Sequence, residues 1–196
     1  MAIRIARHTD LARMLEIYTP FVESTSFSLE YTPPSMEEFK ERFDRITAQF
    51  PWLVWEEDGQ VAGYVYASAP FSRAGYRWCA EPSIYIDPAF HGRGIGRELY
   101  RALEEILKKQ GYQVLYSIIT SCNEGSLAFH YALGYTFLAE FPRCGYKFSK
   151  WENVTWLEKR LNSVEFPTQP PSPWTDFVNI NGNQSAILDK MPLFMK

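Results

Sequence analysis

The residues best placed to do chemistry lie between Ser83 and Arg97. Ser83, Ile84, Tyr85 and Ile86 form a strand-like run that stops at Asp87-Pro88. Glycines follow at 92, 94 and 96, and an amphipathic run with Leu99, Leu103, Ile106 and Leu107 on one face comes next. A strand, a glycine-rich turn and a helix in that order let main-chain N–H groups converge on one point, because glycine takes positive φ at little steric cost. The helix adds its unpaired first-turn N–H groups and the positive end of its dipole. Together they make an anion site suited to a phosphate or pyrophosphate, to which Arg93 and Arg97 can add charge-assisted contacts. A P-loop needs Gly-x-x-x-x-Gly-Lys-Ser/Thr and a dinucleotide turn needs Gly-x-Gly-x-x-Gly. This turn runs Gly-x-Gly-x-Gly-Arg, so both nucleotide readings lose a required residue.

The remaining composition narrows the setting of that site. The chain has 196 residues, 46% hydrophobic and 22% charged, which describes a folded protein with one domain and room for an appendage. Twenty basic against 23 acidic residues give a net charge of −3, so there is no broad basic surface for nucleic acid. The 16% aromatic share suits a lined pocket or a buried interface. Three cysteines (Cys79, Cys122, Cys144) without a C-x-x-C pair fit a reducing compartment rather than a disulfide framework. Three scattered histidines (His8, His91, His130) offer no metal site. No signal peptide or membrane span is expected, and the chain reads as soluble and cytoplasmic.

Stepping outward along the chain, Ile3 to Ile5 alternates as a short strand, and Thr9 or Asp10 caps a helix bearing Leu11, Met14, Leu15 and Tyr18, expected to be limited by Pro20. Ser35 with Glu38 makes a capping box for a second helix that buries Phe39, Phe43 and Ile46. Trp52–Trp55 and Val61–Tyr66 flank Asp58-Gly59, a hairpin signal. After the helix of Leu99 to Leu107, Gly111 takes the left-handed cap. Tyr112–Ile119 is a buried strand, Asn123–Leu133 a short helix closed by Gly134, and Tyr135–Phe141 with Trp151–Leu157 a final strand pair. The order argues for a mixed α/β (α+β) sheet with helices on its faces. Residues 1–162 form the domain. Residues 163–196, with five of the 13 prolines, form a C-terminal arm whose Trp174, Phe177, Ile180, Ile187, Leu188, Leu193 and Phe194 are apolar enough to dock on the domain or on a second subunit.

The run His91-Gly92-Arg93-Gly94-Ile95-Gly96 resembles the acetyl-coenzyme A motif of the GNAT N-acetyltransferase superfamily, with His91 standing where that motif opens on Gln or Arg. Asn123, Ser126, Phe129, His130, Gly134 and Tyr135 resemble its second motif. Arg73 to Glu81, Pro33 to Phe39 and Gly145 to Trp156 are similar to the phosphinothricin acetyltransferase-like branch, except that Cys79-Ala80 replaces a Thr-Val pair. The resemblance covers about residues 3–161. It implies a mostly antiparallel sheet splayed between its fourth and fifth strands, with acetyl-CoA as cosubstrate and no metal.

It also implies roles for particular residues. Main-chain groups near Ile84, Tyr85 and Ile86 would meet the thioester oxygen and the pantetheine arm, and the loop from His91 to Arg97 the diphosphate. Asn123, Ser126 and Phe129 would flank the arm, although Asn123 also suits a plain N-cap. Glu81 is expected to be the general base, its pKa raised among Trp78, Tyr76 and Ile84. His130, or its neighbour Tyr131, is the general-acid candidate. Arg73, Tyr76 and Ser83 would meet the substrate, with a guanidinium clamping its carboxylate or phosphinate. The implied acceptor is a small amphoteric amine such as methionine sulfone, methionine sulfoximine or phosphinothricin, and the implied assembly a homodimer. A peptide N-terminal acetyltransferase and a non-catalytic acyl-CoA-binding module are the alternatives.

Overall fold

A computed structural model of the chain describes residues 2–162, 167 and 169–181. Asp58 and Gly59 both take positive φ, 51° and 77°, which is the twist a two-residue hairpin turn demands. They fold β2 (Trp52–Glu57) back on β3 (Gln60–Ser68). β1 (Ala2–Ile5) adds to β2, and β4 (Cys79–Ile86) to β3, all antiparallel. The chain then crosses over through α3 (Ile95–Gln110), so β5 (Val114–Thr120) joins β4 in parallel. β6 (Thr136–Lys147) and β7 (Lys150–Arg160) form a long hairpin that pairs with β5 through β7. The seven strands lie in the order β1-β2-β3-β4-β5-β7-β6.

Strand alternation sends Trp52, Tyr66, Ser83 and Tyr85 to one face of the sheet and Ile84 and Ser117 to the other. α1 (Leu11–Ser24) and α2 (Met36–Thr47) cover the first face: Phe39 and Phe43 pack on Trp52, and Tyr18 and Phe21 on Tyr85. α3 and α4 (Glu124–Ala132) cover the second, where Phe129 meets Tyr100 edge-on. The expected capping box holds α2: Ser35 Oγ accepts from Glu38 N, and the Glu38 carboxylate accepts from Ser35 N.

Three expectations need correction. α1 runs straight through Pro20 to Ser24, because Ile17, Tyr18 and Val22 are all buried and tertiary burial outweighs the lost N–H. β4 starts at Cys79 rather than Ser83. β6 and β7 extend past the expected ends to meet at Phe148-Ser149, both at positive φ. Bulges at Phe137/Ala139 and Phe141/Gly145 had broken the alternation that would have shown one long strand. In the arm, Trp174 and Phe177 are buried in the domain's own core, on α5 (Trp174–Asn181). Trp174 N–H donates to Gln49 O (3.0 Å) and Gln110 Nε2 to Ser172 O (2.8 Å). Ile187, Leu188, Leu193, Phe194 and the Ile180 side chain lie outside the described residues.

Candidate active site

β4 and β5 pair only at Cys79–Val114 and Ala80–Leu115. The next β4 residue whose main chain faces β5 is Pro82, which has no N–H to give the ladder, and from there the strands diverge. Asp87 N–H donates to Ala62 O, on the β3 side. By alternation the main chains of Ser83 and Tyr85 also face β3, while those of Ile84 and Ile86 face the gap. The expected main-chain role therefore falls to Ile84 and Ile86. Tyr85 lines a cleft that is open to solvent. Glu81, Ser83, Ile84 and Tyr85 of β4 line one side of it, Ser117, Ile118 and Ile119 of β5 another, and Asn123, Ser126 and His130 of α4 a third. Phe21 and Phe27 close the remaining side.

At the outer end of the gap, Gly94 is the N-cap of α3 with φ of 80°, a conformation that would strain any side chain there. A Cβ on Gly96 would lie 3.4 Å from the Phe129 ring and 3.5 Å from Ile84, ordinary van der Waals contact, so the start of α3 lies close to both β4 and α4 without requiring glycine there. The Ile95 side chain is in the core, which leaves only its main chain for a ligand. His91 Nε2 lies 3.0 Å from Ile86 O and fastens the loop to the strand end. Arg93 is exposed, reaching toward Glu57 (3.6 Å) and over the Phe90 ring. Gly92 is exposed on the same loop, and Arg97 is exposed on the first turn of α3. A glycine-capped helix N-terminus, two gap-facing main chains and flanking guanidinium groups fit an elongated ligand with a diphosphate at one end and an extended arm at the other.

Burial pushes the Glu81 carboxyl up to about 7, a value suited to a base at neutral pH. His130 is the opposite case. Its Nδ1 lies 2.7 Å from the Ser126 carbonyl, which can only accept, so Nδ1 carries the proton and Nε2 accepts from the Tyr100 hydroxyl at 2.7 Å. Burial lowers its pKa to about 4. An imidazolium acid at His130 is therefore not what this geometry provides: both ring nitrogens are occupied and the ring is neutral. Asn123 Oδ1 accepts from Ser126 N–H (3.1 Å), so it caps α4 while lining the cleft. Arg73 and Tyr76 stand outside the cleft lining, on the exposed turn leading into β4, with the Tyr76 ring on Phe71 at 4.6 Å.

Comparison with known proteins meets this geometry directly. The family model for the acetyltransferase (GNAT) domain matches residues 3–156. The chain belongs to the GNAT acetyltransferase family. It is 30% identical over 171 residues to the phosphinothricin N-acetyltransferase of Streptomyces viridochromogenes, covering 87% of this chain and 91% of that one. It is 32% identical over 168 residues to the L-methionine sulfoximine/L-methionine sulfone acetyltransferase of Salmonella typhimurium, covering 85% and 98%. A crystal structure of a GNAT phosphinothricin acetyltransferase from Sinorhizobium meliloti in complex with acetyl-CoA superposes with a TM-score of 0.83 at 33% identity, over 89% of this chain and 96% of that one.

For this acetyltransferase, several cleft residues escaped the sequence reading. Phe21 and Phe27 sit at the end of α1 and in the loop after it, and they carry no motif. Tyr100 and Ser117 complete the buried hydrogen-bond chain to His130, with Tyr100 Oη 3.2 Å from Ser117 Oγ. Pro82 was legible: a proline within a strand marks a ladder position without a donor, and here it marks where the sheet opens.

Proposed function

We propose that this GNAT acetyltransferase transfers the acetyl group of acetyl-CoA directly to the amine of a small amino acid or analogue of the phosphinothricin or methionine sulfone kind. The observation that carries this reading is a half-buried carboxylate with a pKa of about 7, Glu81, on the wall of the β4–β5 gap, into which the main chains of Ile84 and Ile86 also face. Bound there, acetyl-CoA supplies an acyl carbon activated as a thioester. Gly92, Gly94, Gly96 and Arg97 would hold its diphosphate by main-chain and guanidinium donors. Asn123, Ser126 and Phe129 would flank the arm. Glu81 accepts the proton that the attacking ammonium must lose, directly or through one water. The Ile84 N–H faces the developing oxygen charge and stabilises it without reorganisation. His130 stays neutral and orients Tyr100; the C–S bond breaks to release coenzyme A as its thiolate, which takes up a proton from solvent or from Tyr131, the neighbouring acid candidate.

The names of the relatives support an amphoteric acceptor. Arg73 and Tyr76, on the exposed turn leading into β4, are proposed to meet its carboxylate, and Ser83 its near end. A homodimer is proposed as well. β6 is an edge strand that exposes Phe137, Leu138, Phe141 and Tyr146, a hydrophobic edge that calls for a cover. The test of the activity is thiol release from acetyl-CoA across a panel of amino acids, sulfones, sulfoximines and short peptides, with Glu81→Gln as control. Turnover on the small acceptors that falls by at least about a hundredfold in Glu81→Gln is expected. Unchanged turnover in that variant removes Glu81 from its role.

A further inference from the structure

Lys147, on β6 far along the chain from the acceptor wall, is only 2% exposed. Its ammonium makes three hydrogen bonds, all to main-chain carbonyls of one short segment: Val22 O at 2.6 Å, Thr25 O at 2.9 Å and Ser28 O at 2.7 Å. Val22 lies in the last turn of α1, Thr25 is its C-cap and Ser28 follows in the loop. A buried ammonium has three donors, so this group is fully used, and a cation at the C-terminal end of a helix also meets the negative end of the dipole. The same segment is held by its neighbours on the hairpin. The Tyr31 hydroxyl donates to Tyr146 O (2.7 Å), and Gly145 leaves room for Leu29, whose Cδ1 would lie 2.6 Å from a Cβ at that position. Between the anchored carbonyls of Thr25 and Ser28 sits Phe27, and just before them Phe21, two residues that line the same cleft as Glu81.

We propose that Lys147 is a positioning residue of the acceptor site, fastening the segment 22–31 to the β6–β7 hairpin so that Phe27 holds the amine against Glu81. This rests on the acetyl-transfer reading above. The physical reason is that the last carbonyls of a helix and those of the loop after it have no ladder partners of their own. One ammonium that satisfies three of them converts a mobile wall into a fixed one, and a fixed wall lowers the entropic cost of seating the substrate.

The test is steady-state kinetics of Lys147→Met, Phe27→Ala and the double variant, with Tyr31→Phe as a variant that touches the same segment without removing a buried charge. For Lys147→Met, KM for the amine should rise about tenfold, with kcat changed less than about twofold and KM for acetyl-CoA unchanged. In the Phe27→Ala background the further effect of Lys147→Met on amine KM should fall below about twofold, because the ring it positions is gone. Tyr31→Phe should raise amine KM about two- to threefold in the same direction. Equal effects of Lys147→Met on both substrates, or an undiminished effect in the Phe27→Ala background, overturn the proposal. If Lys147→Met does not fold, a Tyr31→Phe variant with wild-type amine KM overturns it. Failure of the wild-type protein to turn over any amine would instead be failure of the acetyl-transfer reading, which separates the two.

Discussion

Replacing Glu81 by Gln should make the protein more stable at neutral pH and leave its stability unchanged in mild acid. Burial holds the Glu81 carboxyl at about 7, against 4.5 for an unstrained glutamate, so between those values the folded state keeps a proton that the unfolded chain has lost. Stability contributed by that proton is fully present below pH 4.5 and is lost as pH rises to 7, at about 1.4 kcal/mol per pH unit, or up to about 3 kcal/mol in all. His130 acts with the opposite sign. Its folded pKa is lowered from 6.5 to about 4, so the unfolded chain binds the extra proton and stability rises with pH across that window. Between pH 4.5 and 6.5 the two slopes offset each other in the wild-type protein. Urea unfolding at half-unit steps from pH 4.5 to 8 should therefore show a wild-type stability that is nearly flat in this pair's contribution. The Glu81→Gln curve should climb with pH, and the gap between the two should grow from near zero to about 3 kcal/mol above pH 7. Parallel curves across the whole range would mean that the carboxyl is not held protonated by its surroundings, and the argument for Glu81 as a base tuned by burial would fail.

Other outcomes follow from the same structure. In wild type kcat/KM should rise with pH through a midpoint near 7 and level off about one unit higher; that limb should persist in His130→Asn and have no counterpart in the residual activity of Glu81→Gln. Gly94→Asp adds a strained side chain and a negative charge at the N-terminus of α3, so calorimetry should record acetyl-CoA affinity lower by roughly one to two orders of magnitude. Retained affinity would place the diphosphate elsewhere. Trp174→Ala should cost about 3–5 kcal/mol in denaturant unfolding with both KM values unchanged, since that ring is buried in the core away from the cleft.

The sequence by itself determined a good deal. The glycine turn between strand and helix, the Asp58-Gly59 hairpin, the Ser35 capping box and the left-handed caps at Gly111 and Gly134 were all legible, because each depends on dihedral freedom or on a hydrogen bond made within a few residues. The family resemblance singled out Glu81 as the expected general base. What only the tertiary structure decided are the properties that burial creates. Burial raises the pKa of Glu81 and lowers that of His130, so the first is tuned toward neutral pH, as the proposed base requires, while the second is held neutral with both nitrogens occupied. Likewise α1 continues through Pro20 because its apolar face is covered, and Lys147 spends its charge on carbonyls of residues more than a hundred positions away. Local patterns cannot report such effects, because desolvation and long-range hydrogen bonds depend on which distant segments the fold brings into contact.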